Sequence, residues 1–242
     1  MSNDPNVLKV SVSEEIAMKD VPPGMPTPTQ QQQEERLPPD EIEKRQRIML
    51  EYTRLSGRYV EPHEKRSRWV VKADIPRLMS DGRDMVAMCN IPRGKYSGIS
   101  ALSHTEIEST DPLRFFVLPN GMVVINPIIT EHTSNPIYKD EGCMMFPDND
   151  VKKDVTRYNK VTVTYQTLAK GKDETDPTFS APVTEKLSGG PSHVFQHECE
   201  HLNGRNVFQE DHTPESAIGF GDGQEVILDV LYKDEVNKID EK

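Results

Sequence analysis

Apolar and polar positions divide the chain into stretches of different period. From about residue 98 to 187 the apolar residues come in short runs separated by turn residues. Phe115-Phe116-Val117-Leu118, the turn Pro119-Asn120-Gly121 and Met122-Val123-Val124-Ile125 form the pattern of a β-hairpin. Val161-Thr162-Val163-Thr164-Tyr165 alternates as a half-buried strand does. Ahead of these, apolar residues recur twice at helical intervals. One predicted helix covers 40–56, with Asp40 as N-cap and Ile42, Ile48, Met49, Tyr52 and Leu55 on its stripe; a second covers about 74–90, with Met79, Met85, Val86 and Met88 as core. The polar stretch 171–191 ends in the breaker Gly189-Gly190-Pro191. Beyond it Val194, Phe195 and Leu202 mark the buried face of another helix, stopped by Gly204. Strands followed by one helix predict an α+β domain. There are no internal repeats.

The ends of the chain differ in composition. Residues 20–40 hold Pro22-Pro23, Pro26, Pro28, the tract Gln30 to Gln33 and Pro38-Pro39, which cannot pack a core and read as an extended linker. Before it, Val7-Leu8-Lys9-Val10-Ser11-Val12 has the pattern of a short strand or docking arm. The expected division is an N-terminal arm and Pro/Gln-rich linker over 1–40, a folded domain with an extra N-terminal helix over 41–215, and an acidic, mixed-charge tail over 216–242.

Composition narrows the functional classes. With 242 residues and 34% apolar content the chain can bury one modest core. The net charge of −11 argues against a phosphate-binding surface, so no nucleic acid partner is expected. The basic stretch Lys65-Arg66-Ser67-Arg68 reads as a solvated turn. No apolar run approaches the ~20 residues of a membrane span, and Met1-Ser2-Asn3-Asp4-Pro5 lacks a basic, apolar leader, which predicts a cytoplasmic protein with no membrane partner. Cys89 and Cys199 read as buried thiols in a reducing compartment.

The chemistry is concentrated in Gln196-His197-Glu198-Cys199-Glu200-His201-Leu202-Asn203. On a helix, two histidines four apart lie on one side about a turn apart and can chelate one metal ion. Glu198 then sits beside the metal, where it can take a proton from a metal-activated water. The same five residues could form an ordinary solvated helix face, but the flanking apolar stripe gives this helix a buried side and favours a metal site. A catalytic site of this type needs a third protein ligand. Glu210, Asp211 and His212 follow the helix closely. The better candidate lies upstream, in Glu141-Gly142-Cys143-Met144-Met145-Phe146-Pro147, which reads as an exposed turn leaving a strand, with an accessible thiol at Cys143.

These segments resemble the peptide deformylase family, whose second motif is Glu-Gly-Cys-Leu-Ser and whose third is Gln-His-Glu-x-Asp-His-Leu. Glu141, Gly142 and Cys143 match the second motif, with Met144 and Met145 in place of Leu and Ser. Gln196, His197, Glu198, His201 and Leu202 match the third, with Glu200 for Asp. Val124-Ile125-Asn126-Pro127-Ile128-Ile129 resembles the strand preceding the cysteine turn, and the segment from Arg157 to Tyr165 the strand following it. The resemblance runs from roughly residue 75 to 212 and implies antiparallel sheets wrapped around a central metal-binding helix.

That resemblance also implies a reaction. Cys143, His197 and His201 would hold one divalent ion, Fe2+ in the cell with Zn2+ or Ni2+ as substitutes. Hydroxide on the metal would attack the formyl carbon of formyl-methionine on nascent polypeptides, with Glu198 as general base and the Met144 backbone N–H stabilising the oxyanion. Gly142 would keep the turn tight. The chain departs from the family at the first motif, Gly-x-Gly-Leu-Ala-Ala-x-Gln, whose glutamine hydrogen-bonds the formyl oxygen. The nearest stretch begins at Gly98, no glutamine occurs between Gln46 and Gln166, and His104 or Thr105 falls at the glutamine position. Losing one oxyanion donor typically costs on the order of 100- to 1000-fold in turnover. The alternative is therefore a catalytically weak or inactive deformylase-like module in which the N-terminal arm binds a protein partner, for example in a phage particle, where the location would be the virion. An H-E-x-x-H endopeptidase ranks lower, because it would leave the cysteine turn without a role.

Overall fold

The computed structural model describes residues 40, 54–55, 57–60, 63–90, 99–143, 152–169 and 177–218. The predicted arm and linker up to residue 39, the predicted tail from residue 219, most of the 40–56 helix, Gly98 and Met144 lie outside these residues. Leu55, from the end of that helix, is fully buried in the core.

The elements run α1 (Ile75–Asn90), β1 (Leu102–Ser103), β2 (Phe115–Val117), β3 (Val123–His132), β4 (Pro136–Glu141), β5 (Lys153–Tyr158), β6 (Lys160–Gln166), β7 (Leu168–Ala169), β8 (Thr178–Phe179), β9 (Val183–Ser188) and α2 (Gly190–Leu202). β1, β2, β3, β6 and β9 form one five-stranded antiparallel sheet in that order, while β4–β5 and β7–β8 are separate two-stranded ribbons. The α+β expectation is borne out.

The sheet is covered on both faces, which explains why β2 and β3 read as unbroken apolar runs. Phe115, Val117, Val123 and Ile125 point to one side and pack with Leu78, Met85, Val86 and Met88 of α1. Phe116, Val124, Val163 and Tyr165 point to the other and pack with Phe195, Cys199 and Leu202 of α2. The predicted hairpin closes with Phe115 opposite Ile125 and Val117 opposite Val123. Asn126 adopts φ 51° where the ladder shifts register. Its amide reads both backbone groups of Val70, accepting at 2.9 Å and donating at 3.1 Å. The bulge also accommodates Pro127, which has no N–H to give a regular ladder.

Four local expectations need correction. The segment from Arg157 to Tyr165 is two strands, not one: β5 ends at Tyr158 and β6 starts at Lys160 in a different sheet. The strand directly before Cys143 is β4 rather than β3. The polar stretch 171–191 contributes β9, an edge strand whose outward positions are polar because they face water. The Lys65–Arg68 stretch is not wholly a solvated turn: Ser67 is buried, and its N–H and Oγ both donate to the Leu202 carbonyl, at 3.0 and 2.8 Å.

The central helix begins and ends on glycines. Gly189 precedes it at φ 62°, Pro191 occupies its first turn, and Gly204 follows its end at φ 72°. Left-handed backbone of this kind favours a residue without Cβ. At Gly204 a Cβ would also lie 2.3 Å from the Glu64 carbonyl oxygen.

Candidate metal centre

The histidine spacing works as the helix period requires. His197 Nε2 and His201 Nε2 lie 3.1 Å apart, and Cys143 Sγ lies 3.2 Å from His201 Nε2. The three ligand atoms fall within 4.8 Å of one another. The histidines come from α2, and the cysteine comes from the chain just after β4, two residues beyond Glu141. Cys143 is not an exposed thiol as its turn-like sequence suggests. It is 6% exposed and packs with Val155 and Val207, with Phe208 alongside. At Gly142 the backbone is not left-handed, and a Cβ would meet nothing within 4 Å among the described residues, so no local crowding requires glycine there.

Each imidazole is set by what holds its far side. His197 Nδ1 lies 3.1 Å from Glu141 Oε2, which leaves Nε2 facing the cluster. Burial, and next the nearby His197, push the His201 proton affinity well below the usual histidine range. That favours the neutral ring, the form that ligates metal.

Arg157 organises the ground beneath the ligands. Its guanidinium is fully buried and donates to Glu141 through Nε at 3.1 Å and Nη2 at 2.9 Å, and to Glu200 Oε2 through Nη2 at 2.8 Å. Burial works against the charged form of Glu141, but the His197 and Arg157 hydrogen bonds outweigh it and bring its pKa to about 2. Glu200 is likewise held below the usual range against burial, by His212 and Arg157; His212 Nε2 lies 2.7 Å from Glu200 Oε1. Gln196 fixes the end of β5 to the helix, accepting from the Tyr158 N–H at 2.9 Å and donating to its carbonyl at 2.8 Å.

Glu198 behaves differently from its acidic neighbours. It is 3% exposed, and its Oε2 has no hydrogen-bond partner among the described residues. Burial, followed by the negative fields of Glu106 and Glu141, raises its pKa well above the usual carboxylate value. A carboxyl with raised proton affinity in a buried cleft is suited to accept and return a proton.

The structure does not gather all the candidates. His212 is occupied with Glu200, and Asp211 pairs with Arg205, with Nη2 2.7 Å from Oδ1. His104 turns to the α1 side of the sheet: its ring stacks on Phe115 at 4.7 Å, Nδ1 accepts from the Leu113 N–H at 2.9 Å, and Nε2 lies 3.1 Å from Asp81 Oδ2. With both nitrogens engaged there, it is a core residue rather than an oxyanion donor. The Thr105 hydroxyl is spent on Ser103 Oγ at 3.0 Å. The acidic side chain facing Glu198 from this turn is Glu106, which the sequence reading passed over. Arg157, noted only as part of a strand, also escaped it, since its role depends on two partners distant in sequence.

The chain is similar to known proteins over part of its length. Residues 99–215 match the family model described as polypeptide deformylase. The chain is 39% identical over 94 residues to a peptide deformylase of Thermotoga neapolitana, a match covering 38% of this chain and 50% of the relative. The chain thus spans about half the length of the curated relatives it matches. Among solved structures, a peptide deformylase from Thermotoga maritima is similar at 29% identity with a TM-score of 0.46, covering 60% of this chain and 86% of that one. Another, from the Vibrio parahaemolyticus bacteriophage VP16T in complex with actinonin, is similar at 25% identity and a TM-score of 0.43, over 60% and 92%.

Proposed function

We propose, from the match of residues 99–215 to the polypeptide deformylase family, that the chain hydrolyses the N-formyl group from the formyl-methionine end of nascent polypeptides. The observation that carries this reading is the convergence of Cys143, His197 and His201, with the buried Glu198 between the two histidines in sequence.

The donor set fits a divalent ion: one sulfur and two imidazole nitrogens lie within 4.8 Å of one another, and the Glu141 bond at Nδ1 leaves His197 Nε2 as the ligating atom. Cys143, His197 and His201 would hold the ion, which we take to be Fe2+, with Zn2+ or Ni2+ as substitutes; this donor set accommodates all three. When bound, it supplies the Lewis acidity that makes water nucleophilic near neutral pH.

The remaining chemistry belongs to the chain. Glu198 accepts a proton from the attacking water and returns it to the departing nitrogen, so that water and the formamide become formate and a free amine. Its burial in a shell of neighbouring carboxylates raises its affinity for that proton. Glu141 keeps His197 in one tautomer, and Arg157 keeps Glu141 ionised to do so. The partner is an N-formylated peptide and the proposed location is the cytoplasm. Among the described residues no helix is long and apolar enough to cross a membrane. The absence of a first-motif glutamine favours a second reading, a weak or inactive module that binds partners through its N-terminal arm.

The test is formate release from formyl-Met-Ala-Ser by protein loaded anaerobically with Fe2+ or Ni2+, with Glu198→Gln as control. Release that requires Glu198 is the expected result. No release from metal-replete protein would overturn the enzyme reading and leave the module.

A further inference from the structure

We propose that Asp81 and His104 are positioning residues for the hydrolysis: the Asp81 carboxylate fixes the His104 ring, and the ring fixes the turn whose backbone meets Glu198. This rests on the deformylase reading above and adds a brace on the α1 side of the sheet, away from the metal ligands.

The brace begins outside the residues that match the family model. Arg58 donates through Nη2 to Asp81 Oδ1 at 2.9 Å and through Nη1 to Asp84, which Arg54 also holds through both of its terminal nitrogens. Arg77 Nε lies 3.5 Å from the other Asp81 oxygen, Oδ2. That oxygen is 3.1 Å from His104 Nε2, and His104 Nδ1 accepts from the Leu113 N–H at 2.9 Å. With Nδ1 occupied as an acceptor, the neutral ring carries its proton on Nε2 and donates it to Asp81. The imidazole is fully buried and stacks on Phe115. Filling the space beneath α1 needs only an apolar side chain, whereas a buried ring bonded at both nitrogens also fixes direction.

What it directs is the 3-10 turn His104–Glu106, which packs against α2. Ser103, the residue before the turn, gives its N–H to Glu106 Oε2 at 2.8 Å and also serves the Glu198 carboxylate. The strand leading into the turn, β1, is only two residues long, so contacts from outside the sheet decide where the turn stands. Its remaining backbone is gripped from the same N-terminal segment as Arg58. The Val60 N–H donates to the Glu106 carbonyl at 3.0 Å, and His63 Nε2 lies 3.0 Å from the Thr105 carbonyl oxygen. A displacement of about 1 Å in the surroundings of a reacting group is enough to cost on the order of 100-fold in rate.

Turnover of formyl-Met-Ala-Ser by Ni2+-loaded protein tests the brace. His104→Ala and Asp81→Ala should each lower kcat by on the order of 10- to 100-fold, with KM moved by no more than about twofold and metal content unchanged. Because both act through one contact, the double variant should be no slower than His104→Ala alone. His104→Gln, whose amide can accept from Leu113 and donate to Asp81, should restore most of the lost kcat. Wild-type kcat in His104→Ala, losses that multiply in the double variant, or a His104→Gln no faster than His104→Ala would each overturn the proposal.

Hydrogen exchange gives a reading that does not depend on turnover. In zinc-loaded protein the Ser103 amide should exchange about tenfold faster in Asp81→Ala than in wild type, and unchanged exchange there would also overturn the brace. No formate from the wild type, together with faster exchange at Ser103 in the variant, would sink the deformylase reading alone and keep the brace.

Discussion

His197 presents Nδ1 to a Glu141 carboxylate oxygen 3.1 Å away, and that contact decides which ring nitrogen is left to face Cys143 and His201. The ligand geometry is thus anchored by a residue two positions before the cysteine, on a strand that also carries the cysteine turn.

Glu141→Gln should therefore weaken metal binding by about 10- to 100-fold, the usual cost of removing a carboxylate behind a ligating histidine. Competition against a chelator of known zinc affinity measures this directly. An affinity equal to wild type would mean that the tautomer of His197 is fixed by something else.

Arg157→Ala leaves Glu141 and Glu200 buried without the cation between them. Breaking a buried pair from one side costs about 3–5 kcal/mol, and urea unfolding of the metal-free variant should show a loss of that size. Arg157→Lys should recover little, because an ammonium cannot reproduce the two-sided fork. A loss below about 1 kcal/mol would contradict the role assigned to this network.

The two left-handed glycines that flank α2 should respond differently to alanine. At Gly189 a Cβ meets nothing within 4 Å, so only backbone strain of about 1–3 kcal/mol is expected, from its φ of 62° and ψ of −134°. At Gly204 the same Cβ would lie 2.3 Å from a backbone oxygen of Glu64 and 2.8 Å from its carbon. Thermal unfolding should place Gly204→Ala well below Gly189→Ala, by more than about 1 kcal/mol; equal midpoints would count against the close approach.

Acid should loosen the α1 side of the sheet in two stages. Burial lowers the His104 pKa below its usual 6.5 despite the Asp81 bond, so the unfolded chain binds that proton more readily and stability falls as pH drops below about 6.5. Asp81 is depressed from 3.8 to about 2 by His104 and Arg58 working against burial, so its contribution, complete above 3.8, disappears as pH falls toward 2. Urea midpoints from pH 8 to 5 should decline in wild type and decline less in His104→Gln. Parallel curves would exclude His104 as the source.

The parts of this architecture that were legible in the sequence are those held by their own periodicity. The Phe115–Ile125 hairpin and both long helices announce themselves by apolar spacing and by Gly or Pro at their ends, and the histidine pair follows from the helix period alone. The ribbon β4–β5 does not. Its residues are mostly polar, and it is tied down by Arg157 and by Gln196, contacts spanning about forty positions that no local window contains. The burial of Cys143 is illegible for the same reason, since Val207 and Phe208, which help to cover it, come from beyond α2.

That ribbon also makes the centre depend on contacts distant in sequence. The two histidines are brought together as soon as α2 forms, because they are one turn apart on a single helix. Their sulfur partner follows a two-stranded ribbon that is not continuous with the main sheet, and such ribbons are marginal in isolation. Cys143 therefore meets the histidines through contacts that cross the interior, such as the one from Arg157 to Glu200. The completeness of the centre is a long-range, cooperative property of the fold, and a substitution that loosens the ribbon would weaken the site without touching a single ligand.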